Sequence, residues 1–120
     1  MLGLGALEAA VMDVLWRAPE PLKVREVLDG LDTGKQLAYT TVLTVLDNLH
    51  RKEWVHRELD GKAYRYEPAL TRAEAASKAL RDVLDSSGDP EAVLLHFARS
   101  ASERETELLR KALPRKSRKA

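Results

Sequence analysis

Apolar residues recur at helical spacing in three blocks along the first half of the chain. They stand three or four positions apart, which places each block on one face of a helix. The blocks are Leu4, Leu7, Val11, Val14 and Leu15; Val24, Val27, Leu28 and Leu31; and Val42, Val45, Leu46 and Leu49. Pro19 and Pro21 end the first helix, and the turn residues 32–34 end the second. The third helix is predicted from about Ala38 to Lys52.

After the third helix the hydrophobic pattern changes to a period of two. Residues 54–59 and 62–67 alternate between apolar or aromatic and polar side chains, which is typical of two strands. Asp60-Gly61 between them predicts a type I′ hairpin turn, because glycine accepts the positive φ that this turn requires. Tyr64 and Tyr66 are expected to face the core, and Pro68 ends the second strand. Three helices followed by a hairpin indicate a winged helix-turn-helix.

The second half of the chain is helical again. Helix starts are indicated by the capping sequences 71–74 and 102–105 and by proline directly after Asp89. The predicted fold class is mainly α with a small β-hairpin. We expect a winged helix-turn-helix DNA-binding domain over residues 1–70, a C-terminal helical dimerisation region over 71–113, and a basic flexible tail over 114–120.

The helices of residues 71–113 are too few to bury their own apolar faces, since domains of this size usually need a partner. These faces either fold back on the first domain or pack on a second copy, and the short connection between the two halves favours a homodimer. The residues expected at that interface are Leu80, Val83, Leu84, Val93, Leu94, Phe97, Leu108 and Leu109. A two-fold dimer presents two identical helices, which is the geometry that reads palindromic DNA.

Composition excludes several classes of protein. The chain has no cysteine, which excludes disulfides and thiolate metal sites. No apolar run is long enough for a membrane helix, and the N-terminal segment lacks the basic start of a signal peptide, so a cytoplasmic protein is expected. The net charge is +1, with a net −2 over residues 1–70, so DNA binding has to depend on local arrangement.

The third predicted helix is the main candidate for DNA contact, because a helix fits the major groove and its first turns reach the base edges. Its exposed positions are small or polar, and threonine hydroxyl and methyl groups suit close approach to bases and phosphates. The candidate residues are Tyr39, Thr40, Thr41, Thr44, Asn48 and Arg51. The same pattern also fits a solvated polar face without a partner.

The predicted hairpin carries basic residues around its turn. His56, Arg57, Lys62 and Arg65 are placed to meet phosphates or the minor groove, and we expect Lys62 and Arg65 to contact DNA. The alternative is a solvated hairpin, in which case the winged helix is a protein-interaction module without specific DNA binding. The near-neutral charge of the first domain keeps this alternative open.

Catalytic patterns are missing from the sequence. The three histidines are scattered without a metal-ligand spacing, and there is neither a glycine-rich phosphate loop nor a nucleophile elbow. We therefore expect no enzyme activity, no catalytic residue, no cofactor and no metal site.

Several segments together resemble one known family. Residues 37–49, Leu-Ala-Tyr-Thr-Thr-Val-Leu-Thr-Val-Leu-Asp-Asn-Leu, are similar to the recognition helix of the penicillinase repressors, the regulators of the BlaI, MecI and CopY type. Residues 7–16 and 24–27 resemble the first two helices of that family. The segment 60–68 resembles its wing, and residues 94–97 resemble its dimerisation helix. The resemblance covers nearly the whole chain.

The resemblance implies a homodimeric transcriptional repressor on palindromic double-stranded DNA operators. The family's DNA contacts map onto Thr40, Thr41, Thr44, Asn48, Lys62 and Arg65. In the antibiotic-responsive branch a membrane sensor-protease signals the repressor, and the bond that matches the family's cleavage position is His96–Phe97. The copper-responsive branch uses cysteine pairs, which this chain lacks.

Overall fold

A computed structural model describes residues 3–32 and 36–114. Its elements in chain order are α1 (Ala6–Arg17), β1 (Leu22–Lys23), α2 (Val24–Gly30), α3 (Tyr39–Arg51), β2 (Val55–Asp60), β3 (Ala63–Pro68), α4 (Arg72–Ser86), α5 (Pro90–Ser100) and α6 (Glu103–Ala112). The predicted end of the second helix at residues 33–34 and the predicted tail beyond 114 lie outside the described residues.

The three strands form one antiparallel sheet in the order β1-β3-β2. The hairpin was predicted from the alternating pattern, whereas β1 was not, because two residues are too short to show a period. β1 pairs with the edge of β3 that β2 leaves free, with Leu22 opposite Tyr66 and Lys23 opposite Arg65. This third strand connects the wing to the start of α2.

The hairpin turn lies one residue later than the sequence pattern predicts. Asp60 pairs with Ala63, so the two-residue loop is Gly61-Lys62. Gly61 has φ of 71°, and Lys62 is not among the described residues with positive φ. The type I′ prediction is therefore wrong, because that turn needs positive φ at both central residues, and glycine at the first position is the pattern of type II′.

The first of two compact units ends at Leu80, inside α4. Its core is formed where the apolar faces of α1, α2 and α3 meet the inner side of the sheet. The buried residues are Val11, Met12, Val14, Leu15, Val24, Val27, Val42, Leu46, Leu49, Trp54, Val55, Tyr66 and Ala75. Eight of the thirteen apolar positions predicted from helical spacing are in this list. In each helix they lie on one face, as the spacing requires.

The first turns of α4 belong to this unit. The indole Nε1–H of Trp16 donates to the carbonyl of Leu70 at 2.9 Å, and Arg72 bonds to Asp13 at 2.8 Å while it lies over the Trp16 ring. Ala75 is fully buried. These contacts fix the chain that leaves the sheet against α1.

The second unit, from Arg81 onward, contains the end of α4 together with α5 and α6. The side chain of Asp89 caps α5 by accepting from the Ala92 N–H, with Pro90 in the first turn. The Ser102–Glu105 capping box starts α6, and Thr71 and Glu74 form the box that precedes α4. These three caps confirm the helix starts predicted from the sequence. None of the described residues of this unit is buried.

Candidate nucleic-acid interface

The α3 helix divides sharply into a buried and an exposed face. Val42, Leu46 and Leu49 are fully buried. Tyr39, Thr40, Thr41, Thr44 and Arg51 are exposed, and Asn48 is half-buried. All six candidate positions of the helix therefore lie outside the core, along a continuous surface that starts at the helix N-terminus.

The N-terminus of α3 carries no side-chain cap and no acidic residue in its first turn. Each of the other helices that the structure describes has an acidic residue in its first turn. The partial positive charge of this helix end is therefore not offset locally, which favours an anion such as phosphate. Arg25 of α2 lies 5.5 Å from the centre of the Tyr39 ring and adds a cation beside it.

Hydrogen bonds on the exposed face of α3 decide which atoms are free. The Thr44 hydroxyl donates to the Thr40 carbonyl at 2.9 Å, so its proton is used inside the helix and its methyl group and lone pairs remain. The Asn48 side-chain oxygen accepts from Arg51 at 3.0 Å. Bidentate pairing with adenine needs both the amide oxygen and the amide nitrogen, so Asn48 would first have to release Arg51.

The two predicted cations of the wing differ in their surroundings. Lys62 is exposed in the hairpin loop. Arg65 bonds to Asp60 at 2.6 Å and lies 3.6 Å from Glu26 at the start of α2. The hydrogen bond from Arg65 holds the pKa of Asp60 below its usual value. Arg65 thus connects the wing to α2, whereas Lys62 is placed at the tip.

A cluster between α3 and the wing includes Asp47, which was not among the residues predicted to form the site. Arg57 of β2 binds Asp47 of α3, with 3.1 Å between Nη1 and Oδ1, and its guanidinium lies 4.2 Å from the centre of the Tyr64 ring. Tyr66 is buried beside them, and Tyr64 is 39% exposed. The core-facing prediction is confirmed for Tyr66 and wrong for Tyr64, which is exposed. The signal in the sequence was Asp47, the one acid in a helix whose other exposed candidates are neutral or basic.

A second ion pair connects the end of α3 to α1. Lys52 binds both carboxylate oxygens of Glu8, at 2.9 and 3.0 Å. Burial acts to raise the pKa of Glu8, but the bonds from the Gly5 N–H and from Lys52 outweigh it and leave that pKa below its ordinary value. Lys52 therefore supports the C-terminal end of α3.

The predicted dimer-interface residues all lie in α4, α5 and α6. Leu84 and Val93 are half-buried, and the other six are exposed: Leu80, Val83, Leu94, Phe97, Leu108 and Leu109. His96 and Phe97 lie within the continuous helix α5 and are exposed. In the described residues, no helix has the length and apolar character needed to cross a bilayer.

Known proteins resemble this chain in both sequence and fold. Two relatives named Transcriptional regulator BlaI, from Mycobacterium tuberculosis strains CDC 1551 / Oshkosh and ATCC 25618 / H37Rv, are 42% identical over 113 residues, which is 92% of this chain and 82% of each relative. The crystal structure of MepR, a transcription regulator of the Staphylococcus aureus multidrug efflux pump MepA, has a TM-score of 0.51 at 18% identity. That match covers 91% of this chain and 74% of MepR, and it confirms the winged-helix fold.

A family model described as Penicillinase repressor matches residues 4–115. This match and the BlaI relatives confirm the resemblance drawn from the recognition helix, the wing and the C-terminal helices. The chain belongs to the penicillinase repressor family, whose members are transcriptional regulators and not enzymes.

Proposed function

We propose that two copies of this chain form a homodimer that binds a palindromic DNA operator and represses transcription. The observation that carries the proposal is the exposed threonine face of α3, which begins at a helix end without a cap or a nearby acid. Such a helix can enter the major groove with its backbone N–H groups toward phosphate and its threonines toward the bases.

The threonines would read the operator and the wing would hold the backbone. Thr40, Thr41 and Thr44 share the exposed face of α3, with Tyr39 at its start. Asn48 and Arg51 extend the same surface toward the C-terminal end of the helix. In the wing, Lys62 is the phosphate contact we favour because its ammonium is exposed at the tip. Arg65 remains a candidate contact, but it would share its charge with Asp60.

Homodimerisation is supported by the second unit. Leu94, Phe97, Leu108 and Leu109 are each about half exposed or more, and no described residue from Arg81 onward is buried. A set of exposed apolar side chains on successive helices is typical of an interface. We propose residues 71–113 as the dimerisation region and residues 1–70 as the DNA-binding domain, which together set the spacing of two half-sites.

The family resemblance also suggests how repression ends. We propose that a membrane sensor-protease is the partner that triggers release of the repressor from DNA. Cleavage would occur at or near the His96–Phe97 bond, in the cytoplasm, where the repressor binds its operator. Cleavage there would separate the winged helix from α6 and remove three of the eight proposed interface residues, Phe97, Leu108 and Leu109.

Operator selection from a random duplex library tests the proposal, followed by fluorescence anisotropy with the selected site. Thr44→Ala should weaken operator binding by about 1 kcal/mol, the lower end of the range of a base-reading contact and close to the worth of one buried methyl group, and leave non-operator affinity unchanged. Ser77→Ala, on the exposed side of α4, is the matched control and should bind as the parent chain does. Failure to bind any duplex at low salt would favour the protein-interaction module instead.

A further inference from the structure

We propose that Asp47, Arg57 and Tyr64 form a positioning cluster that holds the wing at a fixed angle to α3 and neutralises an acid on the DNA-reading face. The proposal rests on the proposed DNA-binding function and adds residues to it. In this assignment Arg57 is a positioning residue, whereas a basic wing residue would ordinarily be taken as a phosphate ligand.

The Arg57 guanidinium is held by contacts within the protein. Its Nη1 donates to Asp47 Oδ1 at 3.1 Å, and its guanidinium carbon lies over the Tyr64 ring, 4.2 Å from the ring centre. Only 27% of the Arg57 side chain is exposed. Arginine combines an ion pair and stacking on an aromatic ring because its guanidinium is planar. One side chain therefore joins α3, β2 and β3.

Asp47 places a negative charge on the DNA-reading face of α3, and the cluster neutralises it. Asp47 follows Thr44 by three residues and Thr40 by seven, which puts all three on the same side of the helix. Its side chain is 45% exposed. An unpaired carboxylate on a surface that approaches phosphates repels them. The Arg57 guanidinium cancels that charge without adding a net cation to the DNA-reading face.

The wing also needs a contact of this kind. Strand β1 pairs with β3 only at Arg65 and Tyr66, so the outer part of the wing is a two-stranded hairpin, which by itself is only marginally stable. This outer part extends beyond the core, since Leu59 is 60% and Tyr64 is 39% exposed. Below them, Tyr66 is fully buried, and its hydroxyl lacks a well-aligned hydrogen-bond partner among the described residues. Arg57 lies near enough for its charge to act against the rise that burial causes in the pKa of Tyr66. The cluster thus lies where the wing leaves the core.

The test uses the full chain and six variants. Three change the ion pair and are called the cluster variants: Asp47→Asn, Arg57→Gln and the double variant. Tyr64→Phe and Tyr64→Leu change the ring, and Lys62→Gln is the matched cation control. Amide hydrogen exchange of the hairpin is measured first, in the free protein. Each of the three cluster variants should speed exchange in β2 and β3 about fivefold, the factor for roughly 1 kcal/mol from a partly exposed ion pair. Lys62→Gln should leave exchange unchanged. Tyr64→Phe should retain protection and Tyr64→Leu should lose it, because only the former keeps the ring.

DNA binding is measured next, as a function of salt, with the selected operator and a non-operator duplex. The ratio of operator to non-operator affinity should fall about fivefold in all three cluster variants, because each loosens the wing. The double variant should keep the salt dependence of the parent chain, because the Asp47–Arg57 ion pair and the uncharged pair that replaces it both have zero net charge. Lys62→Gln should lower the slope of log affinity against log salt by about 0.9, one phosphate contact.

Two results would overturn the positioning role. One is a double variant whose salt slope falls as far as that of Lys62→Gln with an unchanged affinity ratio, which would make Arg57 a phosphate ligand. The other is hairpin exchange that does not respond to Arg57→Gln. Because exchange is measured without DNA, a chain that bound no operator would refute the proposed function and would leave the cluster to be judged by exchange alone.

Discussion

Replacing Phe97 with alanine tests whether α5 forms a dimer surface. Phe97 is 56% exposed in the single chain. A fully accessible phenylalanine exposes about 200 Å², so roughly 110 Å² remains for a partner to cover. At about 25 cal/mol per Å² that area stabilises association by nearly 3 kcal/mol, of which alanine would retain about one third.

A two-fold interface contains the residue twice, so the change should weaken the dimer by about 4 kcal/mol. The dimer dissociation constant should then rise about a thousandfold. Sedimentation equilibrium over a wide concentration range measures it directly. Thermal unfolding of the first unit should be unaffected, because Phe97 lies outside the buried cluster of that unit.

Leu59→Ala is the matched control, since this leucine is 60% exposed but lies in the wing. It should change the dimer dissociation constant by less than about twofold. A Phe97→Ala protein that dimerises as tightly as the parent chain would refute the use of α5 as an interface. A parent chain that stays monomeric at every concentration would refute the homodimer itself.

Three further outcomes are expected. Thr44→Val should keep most of the operator affinity and Thr44→Ser should lose about fourfold, because the hydroxyl proton is bonded to the Thr40 carbonyl and the methyl group, worth about 0.8 kcal/mol, contacts the base. Anisotropy titration measures both affinities, and a valine variant that binds as weakly as the alanine variant would contradict this role of the methyl group. Gly61→Ala should cost about 1–2 kcal/mol in urea unfolding, because Gly61 has φ of 71° and a Cβ is strained there; an unchanged midpoint would mean that the turn rearranges freely. Glu8→Gln should lower the free energy of unfolding by about 0.5 kcal/mol at pH 7. The pKa of Glu8 is lowered on folding, so this contribution is present above pH 4.5 and lost as the pH falls through the lower folded value, and a difference that persists at pH 2 would contradict the assignment.

Local rules explain which parts of the fold were predictable. The helices α1, α2 and α3 follow from apolar spacing, and three capping signals correctly predict where α4, α5 and α6 begin. The strand β1 was missed because its two residues carry no period. The turn was placed one residue early because its position depends on which residues pair across the hairpin, here Asp60 with Ala63. Pairing is a property of two segments and is not written in either alone.

For the candidate site, sequence was enough to select the third helix and the wing and to indicate the family. It also identified the exposed threonines, because a residue's position on a helix face follows from spacing. It grouped Arg57, Lys62 and Arg65 as basic residues near one turn and selected Lys62 and Arg65 as DNA contacts.

Only the tertiary structure shows that these three cations have different partners. Arg57 meets Asp47 ten positions earlier in the chain, and Arg65 meets Asp60 and Glu26, whereas Lys62 is exposed at the tip. Amino-acid type decides whether a side chain is charged. The partner that holds that charge is decided by which strands and helices the fold brings within a few ångströms, because ion pairing acts through space and not along the chain.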